Sequence, residues 1–287
     1  MKLSIRNLNK QYPNGVKALN DVSLEIEAGM FGLVGPNGAG KSSLMRTIAT
    51  LQEADAGEIA FNEINVLTQH DAIRRTLGYL PQEFGVYPRV NAVMLLDHFA
   101  QLKGISNGKE RKETVEALLH KTNLWEHKGK NLGNFSGGMK QRFGIAQALL
   151  GNPSLIIVDE PTAGLDPGER NRFHNLLSEI SENVVVILST HIIEDVQSLC
   201  NNMAIINKGT ILAYGKPQDL VKNYEGKIWK KHIEKKDLDN YKAHKIVSQH
   251  LVGGKMEIVV CADAQPDASF AQGYTTLEDV YFAVINA

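Results

Sequence analysis

The chain has 287 residues, 43% of them hydrophobic, enough to bury a full core in one large unit with a small one beside it. Its 31 Lys and Arg nearly balance its 32 Asp and Glu, and the net charge of −1 supplies no overall field that would draw it to nucleic acid or an anionic membrane surface. The two cysteines, Cys200 and Cys261, form neither a metal-like spacing nor a disulfide framework, as expected in a reducing compartment.

The first residues, Met1-Lys2-Leu3-Ser4-Ile5-Arg6, lack the apolar centre of a signal peptide. The apolar runs, such as 184–188, fall far short of the roughly 18 residues of a membrane span, so the chain is expected to be soluble by itself and free to dock on a membrane protein. Residues 3–8 and 22–26 read as strands joined through a turn at Tyr12-Pro13-Asn14-Gly15. Tyr12 suits either a buried packing role or a platform for a purine base, where stacking contributes on the order of 1–3 kcal/mol.

Residues 30–34 read as a buried strand and 43–48 as a helix, with Gly35-Pro36-Asn37-Gly38-Ala39-Gly40-Lys41-Ser42 between them and Ser43 next. A strand, a glycine-rich loop ending in Lys-Ser and a helix make the arrangement that wraps a nucleotide phosphate chain. Glycines let backbone N–H groups turn inward, and the helix N-terminus adds partial positive charge. Lys41 is placed to reach the terminal phosphates and the Ser42 hydroxyl to hold magnesium. The pattern predicts binding of a nucleoside triphosphate.

Residues 57–61 read as a strand, 73–76 as the end of a helix and 77–80 as another buried strand, stopped by Pro81 with Gln82 in the loop. A helical block follows over 90–121, with Leu95, Phe99 and Leu102 at helical spacing, then Val115, Leu118, Leu119 and Thr122, and a break at 104–108. Asn134-Phe135-Ser136-Gly137-Gly138-Met139 opens the next helix, to about 150. Ser136 is a good N-cap and Gly137 and Gly138 allow close approach to an anion, although an ordinary capped helix start uses the same residues.

The strand over 155–158 is apolar throughout and ends in Asp159-Glu160-Pro161. Buried acids are costly, so this pair calls for a cation or a reaction to serve. Asp159 suits a magnesium shell through water, and Glu160 can act as general base on a water facing the terminal phosphate. A turn at Gly164-Leu165-Asp166 leads to a helix over 168–181, and a buried strand over 184–188 ends in Ser189-Thr190-His191. A histidine past a strand end often serves structure, but His191 falls at the ligand-binding end of a parallel sheet, level with Glu160. A helix over 192–199 and a hairpin around Lys208-Gly209 follow. Beyond about 224 the composition shifts: a lysine-rich run over 227–236 is expected as a solvated face, then come a two-residue hairpin at Gly253-Gly254 and a capped helix from Thr276 to Ile285.

Over residues 1–220 this succession resembles the nucleotide-binding subunit of an ATP-binding cassette (ABC) transporter, because separate motifs occur in that family's order. Residues 35–42 match Walker A, Gln82 the glutamine loop, 135–139 the signature (with Phe in place of the commoner Leu before Ser136), 155–160 Walker B with its catalytic glutamate, 164–166 the D-loop and His191 the switch histidine. Tyr12 falls where the family carries its adenine-stacking aromatic. The resemblance implies an α/β P-loop NTPase fold of ABC type: a RecA-like parallel sheet core, an antiparallel β subdomain and an α-helical subdomain at about 88–140, with a small α/β accessory domain at 225–287. It implies ATP and Mg2+ as cofactors, the metal held by Ser42, by Gln82 and, through water, by Asp159. Catalysis falls to Glu160, His191, Lys41 and Gln82.

It further implies two cassettes, in a homodimer or heterodimer, head to tail around two ATP, with Ser136, Gly137 and Gly138 of each serving the other's nucleotide and Asp166 coupling the sites. A separate integral-membrane permease is implied, with docking near Gln82 and 84–89 and a place on the cytoplasmic face of the membrane. The tail at 276–282 resembles cassettes of ABC-2-type exporters, which favours export. A soluble cassette ATPase acting on ribosomes or DNA, and a non-catalytic regulatory cassette, are the competing expectations. One motif set, no heptad run and no basic surplus argue against the first, so no nucleic acid is expected, and intact Lys41, Asp159, Glu160 and His191 argue against the second.

Overall fold

The protein is described by a computed structural model over residues 1–241 and 243–287. The chain opens with β1 (Lys2–Gln11) and β2 (Lys17–Glu27), then β3 (Gly29–Val34) and α1 (Lys41–Ile48). Next come β4 (Ala56–Phe61), β5 (Ile64–Asn65), α2 (His70–Thr76) and β6 (Leu77–Leu80). Helices α3 (Ala92–Leu102), α4 (Gly108–Lys121) and α5 (Gly137–Ala148) precede β7 (Leu155–Asp159), α6 (Pro167–Ile180), β8 (Val185–Thr190) and α7 (Ile193–Leu199). The C-terminal part holds β9 (Asn202–Asn207), β10 (Thr210–Gly215), α8 (Pro217–Lys222), β11 (Ile228–Ile233), β12 (Ile246–Val252), β13 (Lys255–Cys261), β14 (Ala271–Gln272) and α9 (Leu277–Ile285).

The central sheet has the order β10-β9-β3-β8-β7-β6, parallel except for the edge strand β10. Strands β7 and β8 are buried along their whole length, which is why 155–158 and 184–188 read as unbroken apolar runs. The period of two sorts their side chains to opposite faces. Leu33, Ile157 and Ile187 join the cluster shared with α1 and the antiparallel sheet, while Val158, Leu188 and Ile205 join the one shared with α6, α7 and α9. Because β3, β6, β7 and β8 run the same way, the loops that leave them gather at one edge of the sheet. Those loops carry the phosphate-loop motif, Gln82, Glu160 and His191.

The antiparallel sheet, order β2-β1-β4-β5, lies over α1. Leu3 and Ile5 alternate inward, and a register shift with Asn7 at φ 48° returns Leu8 to the same buried side. Helices α3 and α4 build a separate cluster from Leu95, Leu96, Val115 and Leu119 against Phe135 and Phe143. The stripe expected along α3 is only partly internal: Leu95 is buried, but Leu102 is exposed beside Phe99 on the rim of a groove.

The run over 227–236, expected as a solvated face, is instead mostly β11, an inner strand of the sheet β12-β13-β11-β14. Its ends, Ile228 and Ile233, are buried, Lys231 sits against the rings of Tyr241 and Phe270, and Lys230 bonds the Asp279 carboxylate. Lysine side chains mask a strand whose two buried residues, Ile228 and Ile233, stand five apart and so break the period of two. Helix α9 starts in a capping box between Thr276 and Asp279 and joins this sheet to the main core. Leu277, Val280 and Tyr281 pack with residues of α6 and α7, while Ala283 and Phe282 meet Ile228 and Val259. The last helix therefore belongs to the main core as much as to the C-terminal sheet. Truncation of fully buried Leu277 to alanine should cost about 2–5 kcal/mol in urea unfolding, whereas a loss below ~0.5 kcal/mol would make α9 peripheral.

Candidate nucleotide site

The loop after β3 ends at Gly40, whose φ of 110° lies in the left-handed region and whose Cα faces the Ala18 carbonyl too closely for a Cβ. With glycine as N-cap, α1 begins without a side-chain cap and its first N–H groups face the loop. That is a helix start arranged for an anion. Tyr12, residues 36–43, Gln82 and Glu160 line one cavity of about 290 Å³. The Tyr12 hydroxyl donates to Gln52 Oε1 at 2.8 Å and lies 3.0 Å from Ser43 Oγ, so its half-buried ring is pinned at the cavity mouth.

Lys41 is 6% exposed, and its ammonium donates to the Gly35 carbonyl at 2.6 Å and lies 3.5 Å from Glu160 Oε1. Pro36 O is within 3.3 Å. At the end of β7, Asp159 and Glu160 are 3% and 5% exposed. Asp159 Oδ1 has no hydrogen-bond partner, and neither has the buried Ser189 hydroxyl on the adjacent strand. Burial pushes the nearby Tyr79 phenol up, and the charge of Asp159 adds to it. Glu160 adopts φ 50°, unusual for a side-chain-bearing residue, with its N–H bonded to the Ser189 carbonyl at 2.8 Å. From there its Oε2 meets His191 Nδ1 at 2.5 Å.

The fold thus brings Tyr12, Gly35, Pro36, Asn37, Gly38, Ala39, Gly40, Lys41, Ser42, Ser43, Gln82, Asp159, Glu160 and His191 to one edge of the sheet. An uncapped helix start, a buried ammonium and an unpartnered buried carboxylate oxygen fit a triphosphate with its divalent cation. Ser136, Gly137, Gly138 and Asp166 are not among the residues lining this cavity. Ser136 caps α5 by accepting from Met139 N–H at 3.2 Å, and Ser136 and Gly137 are exposed. Gly138 is buried against the Glu169 carboxylate, which Arg142 and Arg172 hold, so a side chain there would collide. Asp166 caps α6, accepting from Glu169 N–H at 2.9 Å. A second helix start, exposed at Ser136 and Gly137, therefore lies outside that cavity.

Sequence reasoning passed over Ser189 and the buried Asp195, which binds Thr162 and Arg170. The only signal for Asp195 is an acid four residues after His191, one helical turn on, and such spacing is common by chance.

The ABC transporter family matches residues 19–163. The chain is 33% identical over 228 residues to the "Probable multidrug ABC transporter ATP-binding protein YbhF" of Escherichia coli (strain K12), covering 78% of this chain but only 39% of that protein. It is 33% identical over 226 residues to the Nod factor export ATP-binding protein I of Cupriavidus pinatubonensis (strain JMP 134 / LMG 1197), covering 78% and 69%. Among solved structures, the dimeric post-hydrolysis state of the ATP-binding cassette MJ0796 bound to ADP and Pi superposes with a TM-score of 0.68 at 28% identity, covering 75% of this chain and 98% of that one. The fold and the phosphate-loop edge define an ATP-binding cassette. This chain belongs to the ABC transporter family.

Replacing Lys41 with alanine removes the one ammonium among the described residues lining the cavity. Its affinity for Mg-ATP, read with a fluorescent analogue, should fall at least ~10-fold, about 1.4 kcal/mol, and unchanged affinity would contradict this placement.

Proposed function

We propose that this chain is the ATP-hydrolysing, energy-coupling subunit of a membrane exporter, working as a head-to-tail pair of cassettes on a separate permease. The observation that carries the reading is the split of the anion-binding groups. Lys41, Glu160 and His191 converge beside one open helix start, while Ser136 caps another that lies outside that cavity and faces solvent. A second cassette would bring its Ser136, Gly137 and Gly138 to the γ-phosphate, with Asp166 coupling the two sites.

In hydrolysis, Glu160 Oε accepts a proton from the attacking water as its oxygen bonds the γ-phosphorus and the bond to the ADP oxygen breaks. The 2.5 Å contact with His191 orients that carboxylate, and His191 can then hold the γ-phosphate. Lys41 and the α1 N-terminus stabilise charge on the phosphates, Tyr12 offers its ring to the adenine, and Gln82 orients the water. Ser42, Gln82 and, through water, Asp159 would hold Mg2+, which when bound supplies further charge neutralisation. ATP bridging two copies shifts the pair toward closure, and its loss reopens them.

Residues 1–220 are read as the cassette, with 88–140 as its helical subdomain, and 225–287 as an accessory domain. Among the described residues no helix is long and apolar enough to cross a membrane, so the transport path is assigned to the permease, on whose cytoplasmic face this chain would sit. For the docking surface the strongest feature is a groove of about 660 Å³ lined by Leu51, Tyr79, Phe99 and Leu102 with Arg75 and Lys103 at its edge. Of the surface expected at 84–89, Phe84 packs partly inward on the main and helical clusters, while Tyr87, Pro88 and Arg89 are exposed and stay available to a partner. The export direction is supported by the relative named for Nod factor export. Tagged protein recovered from detergent-solubilised membranes of its source should carry a multi-span protein that Leu102→Asp loses. Recovery of ribosomal or DNA-repair proteins without any membrane protein would overturn the reading.

A further inference from the structure

Helix α7 begins two residues after His191, and Thr162 stands two residues after Glu160. These two strand exits, from β8 and β7, meet at Asp195, a completely buried carboxylate on α7 that is not among the residues lining the cavity. The Thr162 hydroxyl donates to Asp195 Oδ2 at 2.6 Å. Arg170 Nε, on α6, donates to Oδ1 at 2.7 Å. His174 Nε2, one turn further along α6, approaches the same oxygen at 2.7 Å without an aligned hydrogen bond. Asp195 and burial together push the neighbouring Cys200 thiol up, burial more strongly.

We propose that Asp195 is a positioning residue for hydrolysis, holding the β7 and β8 exits in the one register that sets Glu160 against His191. A carboxylate is expensive to bury, and here it is matched by one hydroxyl and the charged Arg170, a network that stays rigid only when every member is present. Glu160 needs such an anchor. Its φ of 50° is a strained conformation that persists only where the surroundings over-determine it. The Glu160 N–H bond to the Ser189 carbonyl fixes the near side of the turn, and the Thr162–Asp195 bond fixes the far side. The same carboxylate reaches, through Arg170, the first turn of α6, whose N-cap is Asp166. Asp195 thereby ties Glu160, His191 and Asp166 to one buried point. Without it the α7 start and the Glu160 turn relax independently, and the 2.5 Å contact between Glu160 and His191 opens.

This inference rests on the roles given above to Glu160 and His191, and the test separates the two. Thr162→Val keeps the side chain's shape and removes the hydroxyl, while Thr162→Ser keeps the hydroxyl. Asp195→Asn keeps the shape and removes the charge. For Thr162→Val and Asp195→Asn, steady-state ATPase kcat should fall ~10-fold or more, the loss expected from misplacing a reacting group, while ATP affinity stays within about twofold. Thr162→Ser should restore most of the lost turnover. A purely structural role would instead lower stability and affinity together and show no recovery with serine. Turnover of Thr162→Val within twofold of the parent would overturn the inference, provided Glu160→Gln is inactive. Full turnover in Glu160→Gln itself would overturn the assignment of the base.

Discussion

Two adjacent carboxylates, Asp159 and Glu160, are carried into the interior at the end of β7, and the rest of the site is arranged around that fact. Removing a charge from water costs several kcal/mol unless it is paired. Glu160 is matched by His191 on one oxygen and approached by the Lys41 ammonium on the other. Asp159 keeps one oxygen without a hydrogen-bond partner, which suits the proposed role of holding a hydrated cation. The parallel sheet makes this possible. Pairing of β7 with β8 sets Asp159 opposite Ser189, so Glu160, one residue past the first, and His191, two residues past the second, meet although they are 31 positions apart in the sequence.

The two helix starts stand apart within one chain: α1 lines the cavity after β3, whereas Ser136 at the start of α5 is not among the residues lining it. Ser136 and Gly137 are exposed, while Gly138 is buried against the Glu169 carboxylate. In the proposed pair this face would meet the second copy's nucleotide, and because helix-terminal charge acts only within about the first turn, that role would need the phosphate close to Ser136.

Much of this was legible in the sequence because it depends on local pattern. A glycine-rich loop between a buried strand and a helix, or two acids at the end of an apolar run, carries its meaning within a dozen residues. The strands β3, β7 and β8 are apolar on both faces for the same reason that they are central. Three features depend on long-range packing and were hidden. Leu102 sits at helical spacing yet is exposed on the lining of a groove instead of joining the helical cluster as Leu95 does. The lysines of β11 resemble a solvated face, although they border an inner strand and one of them pairs with Asp279. Asp195 looks like an ordinary surface acid on a helix, and only the meeting of α6, α7 and the Glu160 turn gives it Thr162 and Arg170 as partners.

The central claim is that each ATP is held between two copies and that Glu160 is the base whose loss leaves them closed. The most direct measurement is size-exclusion chromatography of Glu160→Gln with and without Mg-ATP, alongside the double substitution Lys41→Ala with Glu160→Gln. The account predicts a shift from monomer to dimer that appears only with Mg-ATP and only when Lys41 is present. A Glu160→Gln protein that binds Mg-ATP and still elutes as a monomer would contradict it.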